Sequence, residues 1–462
     1  MRDAVLAIVI VFLAGCRNND QLKENFPPET QLQVDTIIRS GDLRLGTNVQ
    51  LHWYGTDRDG FITGYNVAVN GTSSFTTATD SLFSFSIDAG VDTADVLVEI
   101  AAVDNEGAVD ESPASVVVPI KNAMPEVSID PDGFLPDSAF IVATLDWRAS
   151  DADGDETIEL VEVKLNNGNW FSIGTQPSLL SFALNGDGTV DFYKNAQWTD
   201  SLSGASLTGK NFLFLRAKDR AGIYSAIDTS AGFLWAPAVE NTLIINGQAE
   251  YLGTYYKGWM DSANVSYDYI QMDAVTGAGI PAYWNPTYEI IMSRYNSISL
   301  FTDATVFPTK SGSDYLLNIL ALSAQKFLQQ GGKLFTASQL SAPMASGAFL
   351  DIFPIESLVL SSGQARLTND SSLVALDANF PDMRPQNIVL GVVPVVPSAD
   401  ATDLYYGQLT KIAGWNGATT LGATRTQNGS INQVFIALPL HLFTRPNEGG
   451  QELLDHVFNA VF

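Results

Sequence analysis

The sequence predicts a multidomain β plus α/β protein: two tandem β-sandwich modules followed by a mostly parallel three-layer α/β domain. Three observations carry this. Residues 27–240 hold two copies of one pattern of short alternating segments, separated by Gly, Asp and Asn clusters. After Ala236-Pro237 the pattern gives way to continuous apolar runs alternating with helical stripes. The chain has 462 residues at 46% apolar content, enough for about three domains with cores of their own.

Charge excludes whole classes of partner. Asp and Glu outnumber Lys and Arg by 51 to 24, giving a net charge of -27 that is spread along the chain rather than gathered in a tail. A field of that sign repels phosphate backbones and anionic headgroups, so nucleic acid and peripheral membrane docking lose their usual attraction.

Arg2 precedes an apolar run from Ala4 to Leu13. That run is too short for a bilayer core of about 30 Å and reads as a secretory signal peptide. Its ending, Leu13-Ala14-Gly15-Cys16, resembles the lipobox of bacterial lipoproteins. The resemblance implies removal of residues 1–15, acylation of Cys16 and anchoring in a membrane through that lipid. Arg17, standing where an Asp would signal retention, implies the outer membrane, on its periplasmic or surface face. Cys16 is the only cysteine, so the exported chain has no disulfide. Residues 16–26 lack periodicity and read as a flexible tether.

The first sandwich is expected over 27–121 and the second, with an insertion, over 122–240. Leu51, Trp53, Asp57, Asp59 and Gly60 recur 94 residues later as Leu145, Trp147, Asp151, Asp153 and Gly154. Ala102-x-Asp104-x-x-Gly107 recurs as Ala217-x-Asp219-x-x-Gly222, 115 residues on, so the second copy is longer between these landmarks. The early Trp and the Ala-x-Asp-x-x-Gly strand exit resemble fibronectin type III and immunoglobulin-like modules, which implies spacing, presenting or binding roles. Equivalent placement in both copies assigns Trp53 and Trp147 to the cores rather than to sugar stacking.

Asp151, Asp153 and Asp155 cluster as a hard cation such as Ca²⁺ would require, and the positions run parallel to an EF-hand loop. The sixth position is Glu156 rather than Gly, and residues 158–165 alternate like a strand, which carries Glu162 away from the turn. A hairpin turn built from Asp and Gly is the competing reading, with Ca²⁺ at these three aspartates as the alternative.

The domain over 241–462 is expected to open with a buried strand at Thr242–Asn246, followed by a second at Tyr288–Ser293. Leu316, Ile319, Leu320, Ala324 and Phe327 mark one helical face between 311 and 330, with Ser311-Gly-Ser-Asp314 as its capping box and Gly331-Gly332 as its stop. A strand at Lys333–Ala337, another from Gln433, and a closing helix striped by Leu453, Leu454, Val457, Phe458 and Val461 complete the pattern.

This order resembles the class I glutamine amidotransferase-like group of flavodoxin-like folds. The resemblance implies a nucleophilic cysteine at the turn after the Lys333 strand and a histidine after the last strand. No cysteine stands there, so thioester chemistry is excluded and the domain reads as degenerate. Ser338 near that turn and His441 past the last strand form the sharpest catalytic candidate pair. Ala337-Ser338-Gln339 nonetheless lacks the glycines of a nucleophile elbow. His52 and His456 read as solvated, and no zinc spacing or phosphate loop is present.

Ligands of open α/β sheets lie beyond the carboxyl ends of the strands. Asn246, Tyr255, Tyr256, Trp259, Trp284 and Trp415 are the candidates there, with aromatic faces and amides suited to sugars or peptides; sealing helices onto the sheet is their competing use. The expected function is that of a non-catalytic, lipid-anchored cell-envelope protein in which a two-module stalk presents the α/β domain to a glycan, a peptide or a partner protein. The alternatives are an extracellular ester or glycan hydrolase and a Ca²⁺-stiffened adhesin. No other cofactor is expected.

Overall fold

The computed structural model of the chain describes residues 25–33, 44–88, 90–272, 284–360, 365–411 and 417–462. Residues 1–15, expected to be a signal peptide, and the candidates Cys16 and Trp415 lie outside the described residues. The chain forms two compact units. One holds the residues up to Met124 together with Asp151–Thr157 and Asp219–Ile223, and the other holds the rest.

In the first unit a three-stranded sheet (Glu29–Gln33, Asn48–Thr56, Asp80–Ser84) and a four-stranded sheet (Thr72–Thr76, Ile62–Val69, Thr93–Asp104, Ala114–Lys121) share one core. The period of two along Asn48–Thr56 decides what is inside: Leu51 and Trp53 are buried and His52 faces water. Trp53 is 2% exposed and lies edge-on to Tyr65, ring centroids 6.2 Å apart. The recurring Ala-x-Asp-x-x-Gly exit has a mechanical cause. Asp104 Oδ1 accepts the Glu106 and Ala108 N–H groups across a turn in which Gly107 takes φ +90°. Asp219 does the same for Ile223 across Gly222, also at φ +90°.

The second sandwich pairs a sheet of Val142–Leu145, Leu180–Leu184, Val190–Lys194 and Gln197–Leu202 with one of Phe171–Ser172, Ile158–Leu165, Leu213–Asp219 and Asp228–Thr229. Trp147 is 1% exposed in its core. Three strands of the first sheet fall between the repeat landmarks, where the second copy is longer. They give this module a second buried face. Every residue of Val142–Leu145 and Leu180–Leu184 is buried: Ala143, Leu145, Leu180 and Phe182 fill the sandwich, while Val142 and Ala183 join a core made mostly by residues after 284. Arg294 clamps the same face, donating to Asp191 at 2.7 Å and Asn185 at 3.0 Å. Thr287 donates to Thr144, which is itself 2.8 Å from Ser181. The second module is therefore packed into the C-terminal region rather than strung before it as a free bead.

That region is organised on one eight-stranded sheet. Its elements, in chain order, are β1 (Thr242–Asn246), α1 (Glu250–Ser262), β2 (Asp268–Gln271), α2 (Thr287–Met292), β3 (Ser297–Thr302), α3 (Leu316–Gln329), β4 (Lys333–Ser338), β5 (Leu373–Ala375), β6 (Ala401–Gly407), β7 (Thr420–Gln427), β8 (Ser430–Ile436) and α4 (Gly450–His456). The strand order is β2-β1-β3-β4-β8-β7-β6-β5. The first five strands are joined by four parallel pairings and the other three pairings are antiparallel, so the sheet is mixed, with the parallel part the larger. Successive residues of β1 face opposite ways: Leu243 and Ile245 pack with α2 and α3, Ile244 with α1 and α4.

Two expected elements are corrected. Tyr288–Ser293 is not a strand; Tyr288–Met292 lie in helix α2, five of whose six residues are buried, and Ser293 is its C-cap. An apolar run buried all round carries no period, and here the preceding Asn285 accepts the Thr287 N–H at 2.9 Å and starts a turn. The strand beside β1 is instead Ser297–Thr302. Ser311-Gly-Ser-Asp314 is not a capping box either. It falls in a hairpin of Val306–Thr309 with Gly312–Tyr315, and α3 begins only at Leu316. Gly331 ends α3 as expected, at φ +89°.

Core placement of the repeated Trp sets a stability expectation. Trp147→Ala should cost about 3–5 kcal/mol in denaturant titration, and His52→Ala no more than about 0.5 kcal/mol. Equal, small effects would contradict the core assignment.

Candidate functional site

Asn246, Gln271, Thr302 and Ser338 are the last residues of β1, β2, β3 and β4, and the parallel register sets them side by side on the carboxyl edge of the sheet. They meet water poorly: Asn246 and Thr302 are fully buried and Gln271 is 6% exposed. Their polar atoms are spent on one another. Asn246 Nδ2 donates to Gln271 Oε1 at 2.8 Å and its Oδ1 accepts the Gln248 N–H at 3.2 Å. Gln271 Nε2 donates to the Gln248 carbonyl at 2.7 Å, and Gln248 Nε2 donates to the Thr302 carbonyl at 3.1 Å. Tyr256 and Tyr269 close the ring, donating at 2.6 Å to Gln248 Oε1 and Gln271 Oε1.

Helix α1 reaches this network through Gly253, where a Cβ would stand 2.1 Å from the Tyr269 hydroxyl and 2.9 Å from Asn246 Nδ2. Tyr256 then lies flat on Phe301, ring centroids 3.6 Å apart, with Trp259 edge-on to it at 5.8 Å. Tyr256 and Trp259 belong to a buried core and Asn246 to its polar lid, so these three candidates seal the carboxyl edge. Tyr255 remains exposed beside Trp259. Trp284 packs against the other face of the region, its indole donating to Ser323 of α3 at 2.9 Å.

The catalytic candidates occupy the same edge without forming a dyad. Ser338 is fully buried, and the partner of its hydroxyl is Thr302 Oγ1 at 3.5 Å. His441 is half-buried with Nδ1 3.4 Å from the Tyr256 hydroxyl, and no hydrogen bond joins it to Ser338 among the described residues. Burial holds the imidazole below its ordinary pKa of 6.5, opposed by the Asp303 carboxylate. His456, expected to be solvated, is half-buried with its ring edge-on to Phe380 at 4.7 Å.

In the aspartate turn the carboxylates serve backbone N–H groups. Asp151 Oδ1 accepts from Asp153 at 2.9 Å, and Asp155 Oδ1 from Asp151 at 3.0 Å. Asp153 accepts from Thr47 at 3.0 Å and from Ala123 at 2.6 Å. Among the described residues no three His, Cys, Asp or Glu side chains converge as metal ligands. At Asp151, Asp153 and Asp155, where the sequence offers Ca²⁺ as the alternative to a plain turn, four of the six carboxylate oxygens accept backbone N–H groups. Burial raises the Asp151 carboxyl pKa against the hydrogen bond from Asp153, and Asp151 Oδ2 has no hydrogen-bond partner among the described residues. Glu162, on its strand, pairs with Arg216 at 2.7 Å.

Open space lies at the opposite, amino edge of the sheet. A cleft of about 670 Å³ is lined by Asn241, Asn296, Ser297, Gln330 and Lys333, with the Phe458 and Phe462 rings on one wall. A second, of about 330 Å³, lies across the last turn of α3 and is lined by Gln329, Gln427, Asn432, Gln433, Asp400 and Arg425. None of these was among the sequence candidates. A signal was there: Asn241-Thr242 and Asn296-Ser297 are the same pair at the same register, Thr242 opposite Ser297 with hydroxyls 2.9 Å apart.

No family model matches the chain, and no curated protein matches it. Solved structures similar to parts of it are β-sandwich modules above all. A PKD1 domain from a Vibrio cholerae metalloprotease is 15% identical over 21% of this chain and 99% of its own, TM-score 0.16. Fibronectin(III)-like modules of Clostridium thermocellum CbhA are 13% identical over 45% of this chain and 95% of theirs, TM-score 0.17. The carbohydrate deacetylase Agd3 is 7% identical over 43% of this chain and 29% of its own, TM-score 0.25. Likenesses of this extent leave function to be argued from the chain's own residues.

Tyr256→Phe should orphan the buried Gln248 oxygen and cost about 1–3 kcal/mol of unfolding free energy, whereas Ser338→Ala should cost under about 1 kcal/mol; the reverse ranking would contradict the network. A buried neutral imidazole stabilises fully above pH 6.5, and that contribution is lost as pH falls from there towards the depressed folded pKa. The melting temperature should therefore fall more steeply below pH 6.5 in the native chain than in His441→Gln. Asp151 has the opposite sign, its raised pKa costing stability once it ionises, so Asp151→Asn should melt higher at neutral pH. Millimolar Ca²⁺ and a chelator should give the same melting temperature in both proteins.

Proposed function

We propose that this chain is a lipid-anchored, non-catalytic protein of the cell envelope that holds a glycan, peptide or partner protein with its C-terminal region. Cys16 is the anchor, residues 16–26 are the tether and the first sandwich is the spacer. The second sandwich and the sheet built on β1 to β8 form the holding body, because Val142, Ala183 and Arg294 weld them into one core. Residues 241–462 are read as a degenerate flavodoxin-like domain, which the parallel order β2-β1-β3-β4-β8 supports.

One observation carries the non-catalytic reading. The carboxyl edge, where an open α/β sheet ordinarily does chemistry, is filled by carboxamides whose hydrogen bonds are satisfied internally. A nucleophile needs access and a base within hydrogen-bond reach. Ser338 is fully buried and bonded only to Thr302 among the described residues.

The protein purified from its native membrane should carry an acylated Cys16 as its first residue by mass spectrometry, and Cys16→Ser should move it to the soluble fraction. It should release nothing from a panel of esters and polysaccharides. Turnover abolished by both Ser338→Ala and His441→Ala would establish the hydrolase instead.

A further inference from the structure

We infer that the cleft at the amino ends of β1, β3 and β4 binds an uncharged oligosaccharide, an assignment that rests on the holding role proposed above. The two edges of the parallel sheet differ in what their carboxamides are doing. On the carboxyl edge Asn246, Gln248 and Gln271 are committed to one another. On the amino edge Asn241, Asn296 and Gln330 are exposed and make no side-chain hydrogen bond among the described residues, yet they converge on one cleft of about 670 Å³. That volume is in the range of small-molecule sites, roughly 300–1,000 Å³.

A carboxamide offers two donors and an acceptor, and a sugar hydroxyl both donates and accepts, so each free amide can engage a hydroxyl or a vicinal pair of them. The Phe458 and Phe462 rings, edge to face at 5.4 Å, add an apolar wall for the C–H face of a pyranose. Among the described residues Lys333 has the only charged side chain lining the cleft and makes no ion pair, and it stands 6.0 Å from the Phe462 ring centroid. One ammonium in a chain of net charge -27 favours a neutral ligand over a polyanion.

The same geometry disfavours a peptide. An extended peptide adds to a sheet through unpaired edge N–H and C=O groups. This cleft is lined by strand ends whose backbone is already used: Asn296 N–H donates to the Asn241 carbonyl at 2.9 Å, Lys333 N–H to the Asn296 carbonyl at 3.1 Å, and Gly332 N–H to the Phe327 carbonyl at 3.0 Å.

The second cleft continues the site past the α3 terminus, since Gln330 lines one and Gln329 the other. Asn432 in it is 6% exposed, and its Oδ1 is a buried acceptor without a partner among the described residues. A ligand of several sugar units can reach both clefts, which a monosaccharide cannot.

The test is binding of the full chain to an array of uncharged hexaoses of glucose, mannose, xylose and N-acetylglucosamine, with polygalacturonate, heparin and a peptide library as comparators. Calorimetry then follows with the best hexaose. The proposal expects an uncharged hexaose to bind and Asn296→Ala/Gln330→Ala to weaken it by at least about tenfold at an unchanged melting temperature. Tyr255→Ala, on the other edge, should leave the affinity unchanged. Binding of no uncharged hexaose, binding of the acidic polymers or peptides alone, or an affinity indifferent to the double variant would overturn the assignment. The last of these leaves the holding role standing. Cleavage of the bound hexaose would overturn that role while leaving the cleft assignment to the double variant.

Discussion

A carboxamide taken out of water costs several kcal/mol unless its hydrogen bonds are replaced. That cost governs the carboxyl edge of the central sheet. Asn246, Gln248 and Gln271 are all nearly or wholly buried, and each is held by the other two or by a tyrosine hydroxyl. Because the ring is closed, removing one member strands its neighbours, and Gly253 is needed so that α1 can come close enough to complete it. The edge best placed for chemistry has become a seal. The amino edge, where amides are free and clefts open, is left as the surface able to take a ligand.

The second constraint is burial on two faces. Val142–Leu145 and Leu180–Leu184 are buried on both faces, and Arg294, through Asp191 and Asn185, fixes where the C-terminal region covers them. A sandwich of this kind cannot serve as a detachable spacer. The first sandwich, with its strictly alternating Asn48–Thr56, has a core of its own. The two sandwiches expected as a stalk are thus unlike: one has a core of its own, and the other shares a core with the C-terminal region.

Much of this was legible in the residues. The 94-residue repeat located both Trp cores and both aspartate turns, since alternation and turn chemistry are local and leave marks in sequence. The helix stripe of α3 and its Gly331 stop were equally local. What failed was non-local. Residues Tyr288–Ser293 have no period because they are buried all round, and only the neighbours of α2 make it a helix. Ser338 and His441 were placed on the proper edge by strand order, yet their burial and their different partners depend on Tyr256 and Thr302, which no spacing rule connects. The amide network was invisible for the same reason, since Asn246 and Gln271 meet only through the pairing of β1 with β2. The amino-edge cleft left one faint mark, the matched Asn-Thr and Asn-Ser pairs at the starts of β1 and β3.

The account turns on which edge of the sheet meets the ligand, and hydrogen exchange of backbone amides with and without bound hexaose measures that directly. Slowed exchange confined to residues 293–297 and 329–333, with 246–249, 302–305 and 338–340 unchanged, is the predicted result. Protection at the carboxyl edge, with the amino edge unaffected, would contradict it.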